Sequence, residues 1–271
     1  MSERLLAPRR LIIVTDLDGT LLHPRTYSFD EARPALELIR QRNIPLVVCS
    51  SKTRTEIEVY RKRLDNDHPF ISENGGGIYI PAGYFPFHGS GDQQGGYEVI
   101  ALGSPYEEIR KRFVELRDRL GTAVRGFGDM TIEEVADLTG LTLEEARLAK
   151  QRDFEEPFIF SGEPDERFLR EIEGEKLRWT QGRFFHIMGD HHKGRAVNML
   201  RKRYERSDGP VLTIGIGDSL NDLPFLFAVD RPVLVKKESG RHDGRIDVPG
   251  LVRTDGIGPT GWNEAVLELL K

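Results

Sequence analysis

Apolar residues run without a break from Leu11 to Val14, and the run ends at Thr15 and Asp16. A strand that is apolar on both faces fits a parallel sheet covered on both sides. The period then changes. Ala32, Ala35, Leu36 and Ile39 recur at helical spacing within 30–42, with Pro34 tolerated in the first turn. Pro45–Cys49 reads as a second strand, and Ile57, Tyr60 and Leu64 mark one face of a helix over 53–64. Short strands follow at 70–71 and 78–80. This alternation predicts a doubly wound α/β sheet.

After residue 82 the rhythm breaks. Residues 88–97 are polar and rich in glycine and read as an exposed loop, with a strand possible over 97–102. A helix over 104–120 carries Ser104 as a candidate N-cap, Pro105 at the first helical position and Glu107 to complete a capping box. Thr131 with Glu134 and Thr142 with Glu145 repeat that box at the heads of two further helical stretches, 131–140 and 142–153. A strand at 158–160, a helix near 165–173 and a strand at 184–188 complete an α+β segment. The doubly wound pattern resumes with a helix at 194–206, a strand at 211–216, a short helix at 221–228 and a strand at 232–235. A mobile loop over 236–250 and a helix over 260–270 follow. The expected fold is α/β: a doubly wound parallel-sheet, Rossmann-like core (1–82 and 189–271) with an inserted α+β domain (83–188).

Composition narrows the function. The 271 residues carry a net charge of -5 with both signs interspersed, and no basic block points to nucleic acid. The polar stretch 1–10 has no signal-peptide character, and the run 11–14 is far too short to span a membrane. A single cysteine, Cys49, rules out an internal disulfide and reads as a packed core thiol. The plain expectation is a soluble cytoplasmic protein whose oligomeric state the sequence leaves open.

Four motifs fall at predicted element ends: TDLDGT (15–20), CSSKT (49–53), HHKG (191–194) and GIGDSLND (215–222). Ligands of open α/β sheets bind beyond the carboxyl ends of the strands, so the four can converge on one crevice. Asp16, Asp18, Asp218 and Asp222 supply oxygen ligands suited to Mg²⁺. Ser50 offers a hydroxyl, Gly19 allows close approach of an anion, and Lys193 opens a helix, where the dipole also favours anions. Together these describe a site for a phosphorylated small molecule. His191 and His192 lack a surrounding His/Cys set and read as surface residues rather than metal ligands.

The order and content of these motifs resemble the haloacid dehalogenase superfamily of phosphotransferases, and the insert lies where the type-two-B caps of that superfamily sit. The resemblance implies that Asp16 is the nucleophile and forms an aspartyl-phosphate, and that Asp18 is the acid and then the base. It implies that Ser50 and Lys193 hold the phosphoryl oxygens. It also implies that Asp16, Asp18 (through its carbonyl) and Asp218 bind Mg²⁺, with Asp222 supporting that shell. The longer stretches CSSKTRTEIE, PFISENGGGIYIP, GFGDMTIEEVADLTGL and QRDFEEPF are similar to the mannosyl-3-phosphoglycerate phosphatase family. That likeness implies hydrolysis of mannosyl-3-phosphoglycerate to mannosylglycerate and phosphate in compatible-solute synthesis, with the insert as a cap that sets specificity.

Such a substrate carries a phosphate, a carboxylate and a sugar. Ser51, Lys52 and Asn74 on the core side, and Arg152, Gln181, Arg183 and His186 in the cap, are the candidates to bind it; Asp129, Met130 and Thr180 are secondary ones. The glucosyl analogue is the alternative substrate. A phosphosugar mutase and a non-catalytic sugar-phosphate sensor are the alternatives of a different class; the sensor conflicts with the presence of Asp16, Asp18, Lys193 and Asp218. Hinges for cap movement are expected at the loop 89–96 and near Gly189.

Overall fold

The computed structural model describes residues 10–87 and 89–271. The polar N-terminal stretch and His88 of the glycine-rich loop therefore lie outside the described residues, except for Arg10.

The chain begins with β1 (Arg10–Thr15), α1 (Arg33–Gln41), β2 (Leu46–Cys49), α2 (Arg54–Leu64), β3 (Phe70–Ser72) and β4 (Gly77–Pro81). β5 (Asp92–Gln94) and β6 (Tyr97–Ala101) form a hairpin on the edge of the same sheet. The insert then supplies α3 (Tyr106–Leu120), β7 (Val124–Gly126), α4 (Ile132–Thr139), α5 (Leu143–Ala149), β8 (Glu155–Phe160), α6 (Glu166–Gly174), β9 (Arg178–Gln181) and β10 (Phe185–Met188). The return consists of α7 (Lys193–Asp208), β11 (Val211–Gly217), α8 (Leu223–Leu226), β12 (Arg231–Lys236), β13 (Val252–Ile257) and α9 (Pro259–Leu269).

The large sheet has the order β13-β12-β11-β1-β2-β3-β4-β6-β5, parallel from β13 to β3 and antiparallel beyond. Its two faces bury alternate residues, as a period of two requires. Ile13 of β1 and Val48 of β2 pack with α1, α2 and α9, whereas Ile12, Val14, Val47 and Cys49 pack with α7 and α8. That double burial is why β1 and β2 are apolar throughout. The insert has its own antiparallel sheet, β7-β8-β10-β9, over a core of Ile109, Phe113, Phe158, Phe168 and Ile187.

Several expectations shift. The hairpin β5–β6 pairs with β4, so the chain leaves the large sheet only after Ala101, not at residue 83. The loop 89–96 therefore lies within the core side, and the two crossings to the insert run through Gly103 and Gly189. These crossings lie side by side: a Cβ on Gly189 would stand 2.7 Å from Ser104 Oγ. Ser104 does not cap α3, which starts from Pro105 with no side-chain cap, whereas the boxes at Thr131 and Thr142 both form. The helix headed by Thr142 stops at Ala149, and β8 begins three residues before the predicted strand, at Glu155. Four strands went unpredicted: β5, β7, β9 and β13. Among the described residues, no helix is long and apolar enough to cross a membrane.

Candidate active site

The four motifs meet at the carboxyl end of the parallel strands. Asp16 follows β1 and Ser50 follows β2; Asp218 and Asp222 follow β11, and Lys193 opens α7. Lys193 has no exposure, and its Nζ lies 2.7 Å from Asp16 Oδ1 and 2.6 Å from Asp222 Oδ1. Burial alone would discharge this amine, but the two carboxylates outweigh it and hold the ammonium form. The other oxygen of Asp222 accepts the backbone N–H groups of Asp218 (2.9 Å) and Ser219 (3.1 Å). Asp222 thereby braces its own turn as well as Lys193. Gly19 adopts φ +79°, and a Cβ there would come within 3.1 Å of Asp218 Oδ2, so its place in TDLDGT is set by both conformation and space.

Asp18 is the less buried of the first pair. Its Oδ2 meets Lys52 Nζ at 3.0 Å, and its Oδ1 has no partner. Lys52 is itself held between Asp18 and Glu56 (3.4 Å), which keeps it charged against its burial. It is thus a partner of the acid Asp18 rather than a cation free for the substrate. Ser50 is fully buried and accepts the backbone N–H of Lys52 at 3.2 Å.

Negative charge is in excess here. Among the described residues, Asp16, Asp18, Asp222 and Glu56 are in direct ion pairs with Lys52 and Lys193 alone, and Lys237 acts on Asp218 from further off. Burial raises the Asp16 carboxyl well above the carboxylate range despite Lys193, and burial together with Asp222 pushes Asp218 up to about 7. Buried carboxylates that repel one another in this way are relieved by a bound cation. One oxygen each of Asp16, Asp218 and Asp222 lies within 4.8 Å of the others, a donor set of hard oxygens that fits a divalent ion such as Mg²⁺.

A cavity of about 680 Å³ opens from this centre and is closed on its far side by the insert. Asp16, Asp18, Gly19, Ser51 and Lys52 line one wall, and Arg152, Arg183 and His186 line the other. Arg152 Nη1 donates to Ser51 O (2.7 Å) and to Glu155 Oε1 (3.1 Å). His186 Nδ1 stands 2.9 Å from the same Glu155 oxygen, without an aligned hydrogen bond. Asn74 is absent from this lining; it is buried, borders the separate cleft between insert and core, and donates to Glu155 Oε2. Arg183 donates to Thr139 O (2.8 Å) and Leu138 O (3.0 Å) at the rim.

Other candidates lie elsewhere. Gln181 is outside the cavity lining and accepts from Arg245 at 3.0 Å. Asp129 pairs with Arg110 and with Arg117 (3.0 Å) inside the insert, and Met130 is packed in a small apolar cluster there. Thr180 lines a separate cleft between insert and core. His191 is not a surface residue: it is fully buried, with Nε2 3.2 Å from Glu73 O, while His192 caps α7.

The sequence reading gave no role to Glu155 or Glu73. Glu73 has φ 45° at the end of β3, and its carboxylate accepts the backbone N–H groups of Asp153, Phe154 and Glu155 (2.9, 2.9 and 3.0 Å). One core side chain thus caps the start of an insert strand. Burial pushes its pKa up to about 8 even so. The adjoining Asn-Gly in this segment read as a plain turn, and only the left-handed conformations of Glu73 and Asn74 mark it otherwise.

A carboxylate at the end of β1, with a lysine from the start of α7 and two aspartates from the end of β11, makes up the acidic site of a doubly wound sheet. A family model described as haloacid dehalogenase-like hydrolase matches residues 13–87. A Methanococcoides burtonii protein named glucosyl-3-phosphoglycerate/mannosyl-3-phosphoglycerate phosphatase is 46% identical over 265 residues, covering 96% of this chain and 97% of its own. A Pyrococcus horikoshii mannosyl-3-phosphoglycerate phosphatase is 38% identical, covering 83% and 90%. Among solved structures, a Thermoplasma acidophilum protein aligns with a TM-score of 0.70 at 17% identity (97% and 99% covered). A sugar phosphatase of haloacid dehalogenase subclass IIB aligns at 0.64 and 16% (95% and 98% covered). The chain belongs to the haloacid dehalogenase-like hydrolases, in the family of glucosyl-3-phosphoglycerate/mannosyl-3-phosphoglycerate phosphatases.

Proposed function

We propose that this chain hydrolyses mannosyl-3-phosphoglycerate to mannosylglycerate and phosphate, and that it accepts the glucosyl analogue. The carrying observation is the two-walled cavity: Asp16, Asp18 and Lys52 on one side, and Arg152, Arg183 and His186 on the other. With a divalent ion offsetting its aspartates the core wall suits a phosphate, and the insert wall suits a carboxylate and sugar hydroxyls. Of the two curated relatives described above, one is named for both sugars and the other for the mannosyl compound alone.

In this reading the Asp16 carboxylate attacks phosphorus, and the bond from phosphorus to the glycerate oxygen breaks. Asp18, held by Lys52, gives its proton to the departing oxygen. The resulting aspartyl-phosphate is cleaved by a water that Asp18 deprotonates, which frees phosphate and restores both aspartates. Ser50 and Lys193 hold the phosphoryl oxygens as charge builds on them. Asp16, the Asp18 carbonyl and Asp218 would hold Mg²⁺, and Asp222 fixes Lys193 and the turn of Asp218. When bound, the ion offsets the carboxylate repulsion and the phosphoryl charge. The insert serves as the specificity cap, closing over the crevice on its glycine crossings.

The test is phosphate release with Mg²⁺ from mannosyl-3-phosphoglycerate, glucosyl-3-phosphoglycerate, mannose phosphates and 3-phosphoglycerate. Strong preference for the two glycosyl compounds is expected. Equal rates on all would leave a phosphatase and discard the substrate.

A further inference from the structure

Glu155 opens β8 with no exposed surface. A buried carboxylate costs several kcal/mol unless it is closely partnered. Its partners lead in three directions. Arg152, on Oε1, continues through the same Nη1 to Ser51 O, beside Ser50. Asn74, on Oε2 at 2.8 Å, accepts at its own Oδ1 from Asn221 Nδ2 (3.2 Å), in the turn that carries Asp218 and Asp222. His186, 2.9 Å from Oε1, lines the cavity together with Arg152. One carboxylate of the insert is therefore a single side chain away from the phosphate-facing loop, the aspartate turn and the far wall. Asn221 also lies against the insert at Gly182, where an added Cβ would be 3.5 Å from its amide. A surface-built strand has no use for such a group at its first position; a hydrophobic residue there would be neutral or better for stability alone.

We propose that Glu155 is a positioning residue: it orients Arg152 and His186 toward the cavity and keeps them in register with the two catalytic loops. Full activity then requires a phosphate ester with a second polar arm, anionic or rich in hydroxyls, long enough to reach that wall. This deepens the phosphatase reading above and rests on it.

The experiment compares wild type with Glu155→Gln on mannosyl-3-phosphoglycerate and on p-nitrophenyl phosphate, with Mg²⁺ present. Glutamine keeps the size and an acceptor but removes the charge that holds both bases. We expect kcat/KM on the sugar ester to fall about 100-fold, chiefly through KM, while p-nitrophenyl phosphate changes less than about threefold. An equal loss on the two esters, or no loss on the sugar ester, overturns the proposal. Should Glu155→Gln fail to fold, Asn74→Gly decides, because glycine accepts the φ of 53° found at that position. Its kcat/KM should fall at least about tenfold more on the sugar ester than on the small one; equal falls, or no fall on the sugar ester, overturn the proposal. Wild type that turns over p-nitrophenyl phosphate but neither glycosyl phosphoglycerate would instead refute the substrate.

Discussion

The crevice holds two buried charge clusters built on opposite plans. On the core side an ammonium, Lys193, sits between two carboxylates; on the insert side a carboxylate, Glu155, sits between a guanidinium and an imidazole. The first cluster is assembled at the ends of parallel strands by four short motifs and is short of positive charge. The second is assembled across the seam between two domains and presents bases to the cavity. In the proposed reading, reaction chemistry is concentrated where the sheet fixes it, and discrimination where the core and the insert meet.

The sharpest break of the comparison is Asp16→Asn, which should lower phosphate release by ~10⁴-fold with little change in fold; measurable wild-type turnover in this variant would remove Asp16 from its role. Lys193→Met comes next. It leaves Asp16 and Asp222 facing each other in a dry site, so both activity and about 3–5 kcal/mol of stability should be lost in urea unfolding; a fully stable variant would mean that the aspartates are already neutral. On the seam, Glu73→Gln should act through pH. The folded-state pKa of Glu73, about 8, lies above its ordinary value, so its contribution to stability is complete below about 4.5 and drains away as pH rises toward 8. The melting temperature of wild type should fall over that window more steeply than that of Glu73→Gln; parallel curves would place the proton elsewhere. The smallest effect belongs to Gln181→Ala, outside the cavity, with kcat/KM within about twofold of wild type. A tenfold loss would mean that the cavity extends past the rim.

The same contrast explains what was legible in the sequence. The core cluster could be read because each component is a contiguous string at a strand end, and apolar β1, β2 and β11 announce those ends. Glu155 could not, because Glu155-Glu156 resembles a solvated charge pair until Arg152, Asn74 and His186 arrive from other elements. Arg152 and His186 were nominated through family likeness and fall on the cavity; Gln181, Asp129 and Met130 were nominated the same way and do not. The strands tell a parallel story. The four unpredicted strands, β5, β7, β9 and β13, are the outer strands of the two sheets. An edge strand pairs on one side only, and β5 and β13 are largely exposed, so no apolar run marks them.

The contact between Trp262 Nε1 and Thr15 Oγ1, 3.0 Å long and 247 positions apart in the chain, bears on how the protein is made. Asp16 emerges from the ribosome early. Its strand gains its inner neighbour β11 only after residue 211, and the indole that anchors its final residue only after α9 is synthesised. A nascent chain therefore carries Asp16 without the lysine, the aspartate turn or the indole that hold it until those later elements have been made, and the site is assembled all together rather than strand by strand.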